Sequence, residues 1–202
     1  MEILTFTENI GKFVGTEDFE AHIDYLIEYF YKMKEKTPQS DSISVRRGWQ
    51  NHNLMTDYLN EKEIQYLLWY IHQQFEPYFA SFKPSKKYFW SINNMWVNIL
   101  PKGGYNRVHR HTGCQFSGII YLQGDEDSGE LTIFNPMNTR NIAENFTGFQ
   151  EERTCYTIPP LRNTGVFFSS SLDHRVDMNN SDLDRISVAF NIRINDFPPA
   201  SS

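Results

Sequence analysis

The chain contains little cysteine, no run of basic residues and no long apolar segment. Its two cysteines, Cys114 and Cys155, do not form a C-x-x-C pair. The spacing implies neither a disulfide scaffold nor a zinc knuckle, and a reducing compartment is the expected environment. The formal net charge is −6, and without a lysine- and arginine-rich stretch no surface for a phosphate backbone is indicated. Nucleic acid is therefore not an expected partner.

No window of the chain approaches the roughly eighteen consecutive apolar residues that a membrane-spanning helix needs. The N-terminal sequence, MEILTFTENIGKF, also lacks the charged region and apolar run of a secretory signal. We therefore expect a soluble, cytoplasmic protein that does not cross a membrane. No pattern in the sequence indicates an oligomeric state.

Aromatic residues are abundant and make up 15% of the chain, with 16 phenylalanines and 11 tyrosines. This composition predicts a core built from rings as much as from aliphatic side chains. At 202 residues, one domain is the expected organisation. Within it we expect a helical buttress over residues 1–87, a β-rich core over 88–195 and a loose tail over 196–202.

The N-terminal segment carries two stretches with helical periodicity. Between Thr16 and Lys36 apolar residues recur at helical spacing, with acidic residues early and lysines late, as the helix dipole favours. A second apolar stripe runs from Ile64 to Phe75, and Pro77 should end or bend that helix. Both helices are expected to cover one sheet.

From Tyr88 onward the pattern changes to short β-rich runs separated by turn residues. The runs are YFWSINNMWVNIL, FSGIIYLQG, GELTIFNP, RTCYTIPP, TGVFFSS and RISVAFNIRI. Strands in this number, without helices between them, predict antiparallel sheets folded as a sandwich or a barrel. The predicted fold class is therefore mainly β (α+β).

The sequence NRVHRHTG places His109 and His111 one residue apart in a chain with 6 histidines. Residues two apart in a strand point to the same face, so both imidazoles can enter one cavity and bind one metal ion. Such pairs also occur by chance, and this pair alone does not establish a metal site. His174, in FFSSSLDHRV, is a third candidate ligand further along the chain. The other histidines lie in the helical segment and are interpreted as core or solvated residues: His22, His52 and His72.

The strand RISVAFNIRI supports a binding site inside a barrel. Alternation places Ile186 and Val188 on one face, which must be core, and Arg185 and Ser187 on the other. In a barrel this second face is the lumen, where a guanidinium group and a hydroxyl group could bind a carboxylate.

Seven motifs, in order along residues 88–195, resemble a family of Fe(II)/2-oxoglutarate-dependent oxygenases that is distantly related to the prolyl 4-hydroxylases. The motifs are WVN at 96–98, KGGYN at 102–106, HRH at 109–111, SGIIYL at 117–122, GELTIFNP at 129–136, FFSSSLDHRV at 167–176 and RISVAFN at 185–191. The resemblance implies a double-stranded β-helix, a jelly-roll or cupin-like barrel, with Fe(II) and 2-oxoglutarate inside. It also implies a dioxygenase that uses dioxygen to hydroxylate a C–H bond and converts 2-oxoglutarate to succinate.

The resemblance also implies roles for individual residues. His109 matches the first metal ligand and His174 the distal one. Arg185 and Ser187 match the R-x-S pair that binds the far carboxylate of 2-oxoglutarate. Two further residues lie on strands whose inward side chains often touch the cosubstrate: Tyr121 and Asn98.

The chain departs from the superfamily's usual pattern at His111, because the common motif, H-x-D or H-x-E, has a carboxylate there. One alternative is that three neutral imidazoles hold the iron. The other is that His111 lies behind the ligands and a carboxylate comes from elsewhere; the nearest candidates are Asp125, Asp127 and Glu130. We favour three histidines, with His109, His111 and His174 as the metal and catalytic residues.

Two other functions remain open on sequence alone. A cupin-type dioxygenase would use three histidines without 2-oxoglutarate, although Arg185 and Ser187 argue against it. A barrel without turnover would act as a metal- or ligand-binding module. The primary substrate, a peptidyl residue or a small molecule, is not identified by any residue.

Overall fold

The computed structural model describes residues 9–40, 44–84, 88–136 and 155–196. Within these ranges the helices precede the long strands, as the sequence predicts. The helices are α1 (Glu17–Lys36), α2 (Leu54–Asp57) and α3 (Lys62–Ser81). In the described ranges, no helix combines the length and the apolar character that crossing a bilayer requires.

Helix α1 begins where the sequence predicts. Thr16 is its N-cap, and the Oγ1 atom of Thr16 accepts a hydrogen bond of 3.2 Å from the backbone N–H of Phe19. This bond satisfies one of the free N–H groups of the first turn. The buried stripe of α1, which includes Phe19 and Phe30, faces the protein core.

Pro77 does not end helix α3, which continues to Ser81. A proline inside a helix removes one backbone hydrogen bond and is expected to interrupt it. The last turn of α3 is held instead by packing, because the rings of Tyr78 and Phe79 lie against the buried cluster beneath the helix.

Eleven strands form two antiparallel sheets in the described part of the chain. They are β1 (Gly11–Val14), β2 (Val45–Arg46), β3 (Trp49–Asn51), β4 (Tyr88–Leu100), β5 (Tyr105–His109), β6 (Phe116–Gln123), β7 (Leu131–Phe134), β8 (Cys155–Ile158), β9 (Thr164–Ser169), β10 (His174–Val176) and β11 (Arg185–Asp196). The larger sheet has the order β1-β9-β6-β11-β4-β3, and the smaller sheet has the order β2-β5-β10-β7-β8.

Successive strands often lie in different sheets. The chain passes from β4 in the larger sheet to β5 in the smaller one, and again from β6 to β7. These connections wrap both sheets around one interior, so the predicted barrel is present.

In its described part, the N-terminal segment contains strands as well as the predicted helices. It supplies β1 and β3 at the two edges of the larger sheet and β2 at an edge of the smaller sheet. These strands are too short to produce a readable alternation in the sequence. At the other end, β11 includes Asp196, and residues 197–202 of the predicted tail lie outside the described residues.

Apolar side chains pack on both faces of the larger sheet. One cluster lies between the helices and the sheet and includes Ile186, Val188 and Phe75. The other fills the space between the two sheets and includes Trp96 and Ala189. The alternation predicted for β11 is therefore confirmed: its isoleucine face packs beneath the helices, and its opposite face lines the barrel.

Candidate active site

Three histidines meet inside the barrel: His109, His111 and His174. Their candidate ligand nitrogens all lie within 4.8 Å of one another. The ring centroids are 4.3 Å apart for His109 and His174, and 5.1 Å apart for each of the other two pairs. Three imidazoles in this arrangement can share one metal ion.

The smaller sheet and one loop bring the three rings together. His109 on β5 and His174 on β10 are direct cross-strand partners. His111 lies beyond the end of β5, where its backbone N–H donates a hydrogen bond of 3.0 Å to the carbonyl oxygen of Ser170. The sequence places His109 and His111 on one strand face, but the second ring reaches the site from a loop that is tied to the chain before His174.

Backbone hydrogen bonds orient two of the three rings in the same way. The Nδ1 atom of His109 lies 2.7 Å from the carbonyl oxygen of Arg107, and the Nδ1 atom of His174 lies 2.9 Å from that of Leu172. A carbonyl oxygen can only accept, so Nδ1 carries the proton in both rings. The Nε2 lone pairs are then available to a metal, as in protein sites where a backbone carbonyl orients the ligating histidine.

Burial keeps the three imidazoles neutral. Desolvation lowers the pKa of His111 to about 4, with further contributions from His109 and His52. It lowers the pKa of His174 to about 3, and it also lowers the pKa of His109. At neutral pH the three rings are therefore uncharged, so a metal ion can bind without first displacing a proton from an imidazolium.

The cluster that could hold a metal contains three histidines and, among the described residues, no carboxylate. Asp125, the first of the alternative ligands, accepts hydrogen bonds from the hydroxyl groups of Ser181 and Ser128, each at 2.7 Å. These bonds lower the pKa of Asp125. Its carboxylate therefore stabilises the loop after β6, and the arrangement favours His111 as the third ligand.

The residues expected to bind 2-oxoglutarate lie on the opposite wall, in the larger sheet. Ser187 on β11 is paired with Asn98 on β4 and with Tyr121 on β6, so these three residues form one row across three strands. Arg185 lies two residues before Ser187 on the same face. All four are buried: Arg185 is 1% exposed and Tyr121 is 0% exposed.

Arg185 is a buried cation without a matching anion. No carboxylate of the described residues forms an ion pair with it, and its Nε atom and the hydroxyl group of Tyr121 have no hydrogen-bond partner there. The guanidinium carbon lies 5.2 Å from the centre of the Tyr121 ring. Burial lowers the pKa of Arg185, and it raises the pKa of Tyr121. A buried cation with unused donors fits a bound carboxylate.

The space left between the two walls is small, about 30 Å³. Its lining includes the three histidines, Arg185, Ser187 and Asn98. A volume of this size can hold ordered water.

Three polar residues near the site were not assigned to it from the sequence. Gln50 on β3 donates a hydrogen bond of 2.7 Å from its Nε2 atom to the Oδ1 atom of Asn98. The ring of His52 lies 5.4 Å from that of Trp96. Asn106 lines the interior three residues before His109, and its Oδ1 atom has no partner among the described residues. Of the three, only Asn106 could have been assigned to the site from the sequence, because it lies on the strand that ends at His109.

Comparison with known families gives one match in the part of the chain that forms the barrel. Residues 94–191 match the family described as "Putative 2OG-Fe(II) oxygenase", where 2OG is 2-oxoglutarate. The match includes all of the predicted metal and cosubstrate residues. No curated protein matches the chain with significance.

Several solved structures share the fold. A prolyl-4-hydroxylase from Pseudomonas putida is 13% identical, with a TM-score of 0.60, and the match covers 93% of this chain and 94% of that one. HygX from Streptomyces hygroscopicus, solved with nickel and 2-oxoglutarate bound, is 10% identical, with a TM-score of 0.60 and coverage of 93% and 83%. A prolyl hydroxylase from Trichoplax adhaerens, in complex with a hypoxia-inducible-factor peptide fragment, is 12% identical, with a TM-score of 0.59 and coverage of 90% and 82%. At these identities the likeness confirms the fold, a double-stranded β-helix.

Proposed function

We propose that the protein is an Fe(II)- and 2-oxoglutarate-dependent dioxygenase that hydroxylates a C–H bond, as the match of residues 94–191 to the family described as "Putative 2OG-Fe(II) oxygenase" supports. The observation that carries the proposal is the placement of three neutral imidazoles opposite a buried arginine that forms no ion pair with any described residue. The three imidazoles suit a divalent metal ion, and the arginine suits the carboxylate of a bound diacid.

His109, His111 and His174 would hold the iron. The carbonyl oxygens of Arg107 and Leu172 keep two of the rings in the tautomer that directs Nε2 towards the ion. Three neutral ligands leave the full double charge of the metal uncompensated, which favours a dianionic cosubstrate.

Arg185 would bind the distal carboxylate of 2-oxoglutarate. Arg185 lies two residues before Ser187 on the same face of β11, so the guanidinium group of Arg185 and the hydroxyl group of Ser187 can contact the same carboxylate. Tyr121 and Asn98 flank Ser187 on both sides and would complete the polar end of the pocket. The Tyr121 hydroxyl group, which lacks a partner among the described residues, is a further donor for this ligand.

Iron with bound 2-oxoglutarate and dioxygen supplies oxidative decarboxylation to succinate and carbon dioxide, coupled to oxidation of the substrate C–H bond. The protein contributes orientation and the exclusion of water. Trp96, Phe168 and Ile119 form apolar walls between the histidines and Arg185, and all three are buried. Because apolar walls lower the local dielectric constant, they strengthen the electrostatic contacts that the histidine cluster and Arg185 make with bound ligands.

The proposed primary substrate is a peptidyl residue or a small molecule. The Trichoplax prolyl hydroxylase with a bound peptide supports the first class. We also propose that the protein works in the cytoplasm, which its two free cysteines support because thiols remain reduced there.

An anaerobic titration tests the proposal. Wild-type protein and the His174→Gln variant are titrated with Fe(II) and then with 2-oxoglutarate, oxygen is admitted, and succinate is measured. The wild type should bind one iron per chain, bind 2-oxoglutarate after iron and form succinate slowly without substrate. His174→Gln should bind iron weakly and form no succinate.

Two results would contradict the proposal. If the wild-type protein binds no iron, the proposed metal site is wrong, and a binding module without this site becomes the favoured function. Iron uptake without any 2-oxoglutarate binding would favour a dioxygenase of the three-histidine cupin type.

A further inference from the structure

We propose that the Arg110–Asp173 ion pair is a positioning pair for the histidine cluster; the inference rests on the proposed function. Arg110 lies between His109 and His111 in the chain, and Asp173 directly precedes His174. The Nε and Nη2 atoms of Arg110 lie 2.8 Å from the two carboxylate oxygens of Asp173. One side-chain pair therefore joins the two chain segments that carry all three candidate ligands.

The bidentate geometry is what makes the pair suited to positioning. Two parallel hydrogen bonds between planar groups fix their separation and also their relative orientation, whereas a single contact fixes only a distance. Because Arg110 holds Asp173 in this way, the segment with His109 and His111 cannot rotate freely against the segment with His174.

The pair lies where the β-ladder no longer holds the chain. His109 and His174 are cross-strand partners, but β5 ends at His109 and β10 begins at His174. His111 lies beyond this last pair and depends on loop contacts, one of which is its hydrogen bond to Ser170. The Arg110–Asp173 pair is a bidentate side-chain contact across this open end of the ladder.

The same contact contributes little to overall stability. The side chain of Arg110 is 58% exposed and that of Asp173 is 41% exposed. Exposed ion pairs change the free energy of unfolding very little. Loss of a side chain that orients metal ligands, in contrast, commonly weakens metal binding by about tenfold or more. The positioning role therefore predicts a change in metal affinity without a matching change in stability.

The test uses Co(II), whose visible absorption reports the geometry of its ligands. Co(II) affinity, the Co(II) spectrum and the thermal midpoint are measured for the wild type, Asp173→Asn, Arg110→Gln and the double variant. The matched control is Asp182→Asn, which breaks an exposed ion pair of 2.7 Å with Lys102 that joins two loops without cluster histidines.

Asp173→Asn and Arg110→Gln should each weaken Co(II) binding by about tenfold and alter the spectrum. The double variant should bind no more weakly than either single variant, because both remove the same contact. Asp182→Asn should bind Co(II) as the wild type does, and all thermal midpoints should stay close together.

Equal Co(II) affinity and equal spectra in the wild type and Asp173→Asn would overturn the positioning role and leave the proposed function intact. A similar loss of affinity in Asp182→Asn would also overturn it, because the effect would then be a general one of surface charge. If the wild type takes up no Co(II), the proposed metal site fails, and this inference fails with it.

Discussion

At the residue scale, Arg185 shows how a binding site conflicts with stability. Its guanidinium group is buried and forms no ion pair with a carboxylate of the described residues. Removal of a cation from water without a compensating anion is unfavourable. The folded protein therefore carries a destabilising charge that becomes favourable when a dicarboxylate is bound.

Replacement of Arg185 by methionine should separate these two effects. Arg185→Met should raise the free energy of unfolding by about 1–3 kcal/mol, because it removes a buried charge and keeps an apolar chain of similar length. It should weaken 2-oxoglutarate binding by about 1.5–3 kcal/mol, because it removes a charge-assisted hydrogen-bond donor. Denaturant unfolding and calorimetric titration of the metal-loaded protein measure the two quantities.

Arg193→Met is the matched control on the same strand. Arg193 is exposed and donates hydrogen bonds to the carbonyl oxygen of Gly113. The Arg193→Met substitution should change neither the free energy of unfolding nor 2-oxoglutarate binding appreciably. An Arg185→Met protein that binds 2-oxoglutarate as tightly as the wild type would place the cosubstrate elsewhere.

His111 is the residue that distinguishes this site from the usual pattern of two histidines and one carboxylate. Imidazole ligands suit iron, nickel, copper and zinc, whereas carboxylate ligands suit manganese better. His111→Asp should therefore shift the preference of the site from Ni(II) towards Mn(II) on the order of tenfold. Competitive titration of both ions into wild-type and variant protein measures this ratio. An unchanged ratio would mean that His111 is not a metal ligand.

At the scale of elements, helix α3 fixes the outer face of the larger sheet. Phe75 is fully buried, and its ring contacts those of Trp90 on β4, Phe116 on β6 and Phe167 on β9, with centroids 4.8–5.5 Å apart. One side chain thus joins the helix to three strands. The helices hold the sheet that carries Arg185 and contribute no ligand to the histidine cluster.

Truncation of this contact should destabilise the protein strongly. Phe75→Ala should lower the free energy of unfolding by about 3–5 kcal/mol, since it leaves a cavity between α3 and the sheet. Trp69→Ala on the same helix is the control, because the Trp69 side chain is 56% exposed, and it should change stability by about 0.5 kcal/mol or less. Urea unfolding measures both. Equal effects would show that α3 is not held through Phe75.

At the scale of the whole molecule, closure of the barrel determines the protonation of the site. The two sheets bury the histidine cluster, and this burial lowers the pKa of His174 to about 3 and of His111 to about 4. An unfolded histidine titrates near 6.5. Below that pH the unfolded chain binds protons that the folded chain does not bind, so stability falls as the pH falls from about 6.5 towards 4.

The metal-free protein should therefore be acid-sensitive through these rings. His174 alone should contribute a loss of about 1–2 kcal/mol between pH 7 and pH 5. Urea unfolding of metal-free wild type and His174→Gln at both pH values measures the effect, and carboxylate contributions are common to the two proteins. The variant should lose less stability than the wild type. A parallel loss would mean that His174 is not buried in the metal-free state.

Much of the site follows from local patterns. The alternation of β11 places Arg185 and Ser187 in the lumen, and the spacing of His109 and His111 predicts that both imidazoles enter one cavity. The β11 prediction succeeds because a period of two and the polarity of the side chains are properties of a few neighbouring residues. The helix before Pro77 is found in the same way, although its last turn is not. His111, in contrast, enters the cavity from the loop after β5, so strand alternation does not account for its position.

Other parts of the site depend on contacts that no local pattern contains. Strand β3 brings Gln50 to Asn98, and three residues are too few to show alternation. The Arg110–Asp173 pair joins residues 63 positions apart. The absence of a carboxylate from the histidine cluster, within the described residues, is likewise visible only when the loops are in place.

The sequence by itself determined the types of ligand, the longer strands from Tyr88 onward and the two faces of β11, because these depend on residue chemistry and on short-range periodicity. Only the tertiary structure decided which strands are neighbours, which histidines meet and which buried cation has no ion-pair partner among the described residues. Those depend on register and on loop closure between distant segments, where many pairings have similar local energies and packing of the whole barrel selects one.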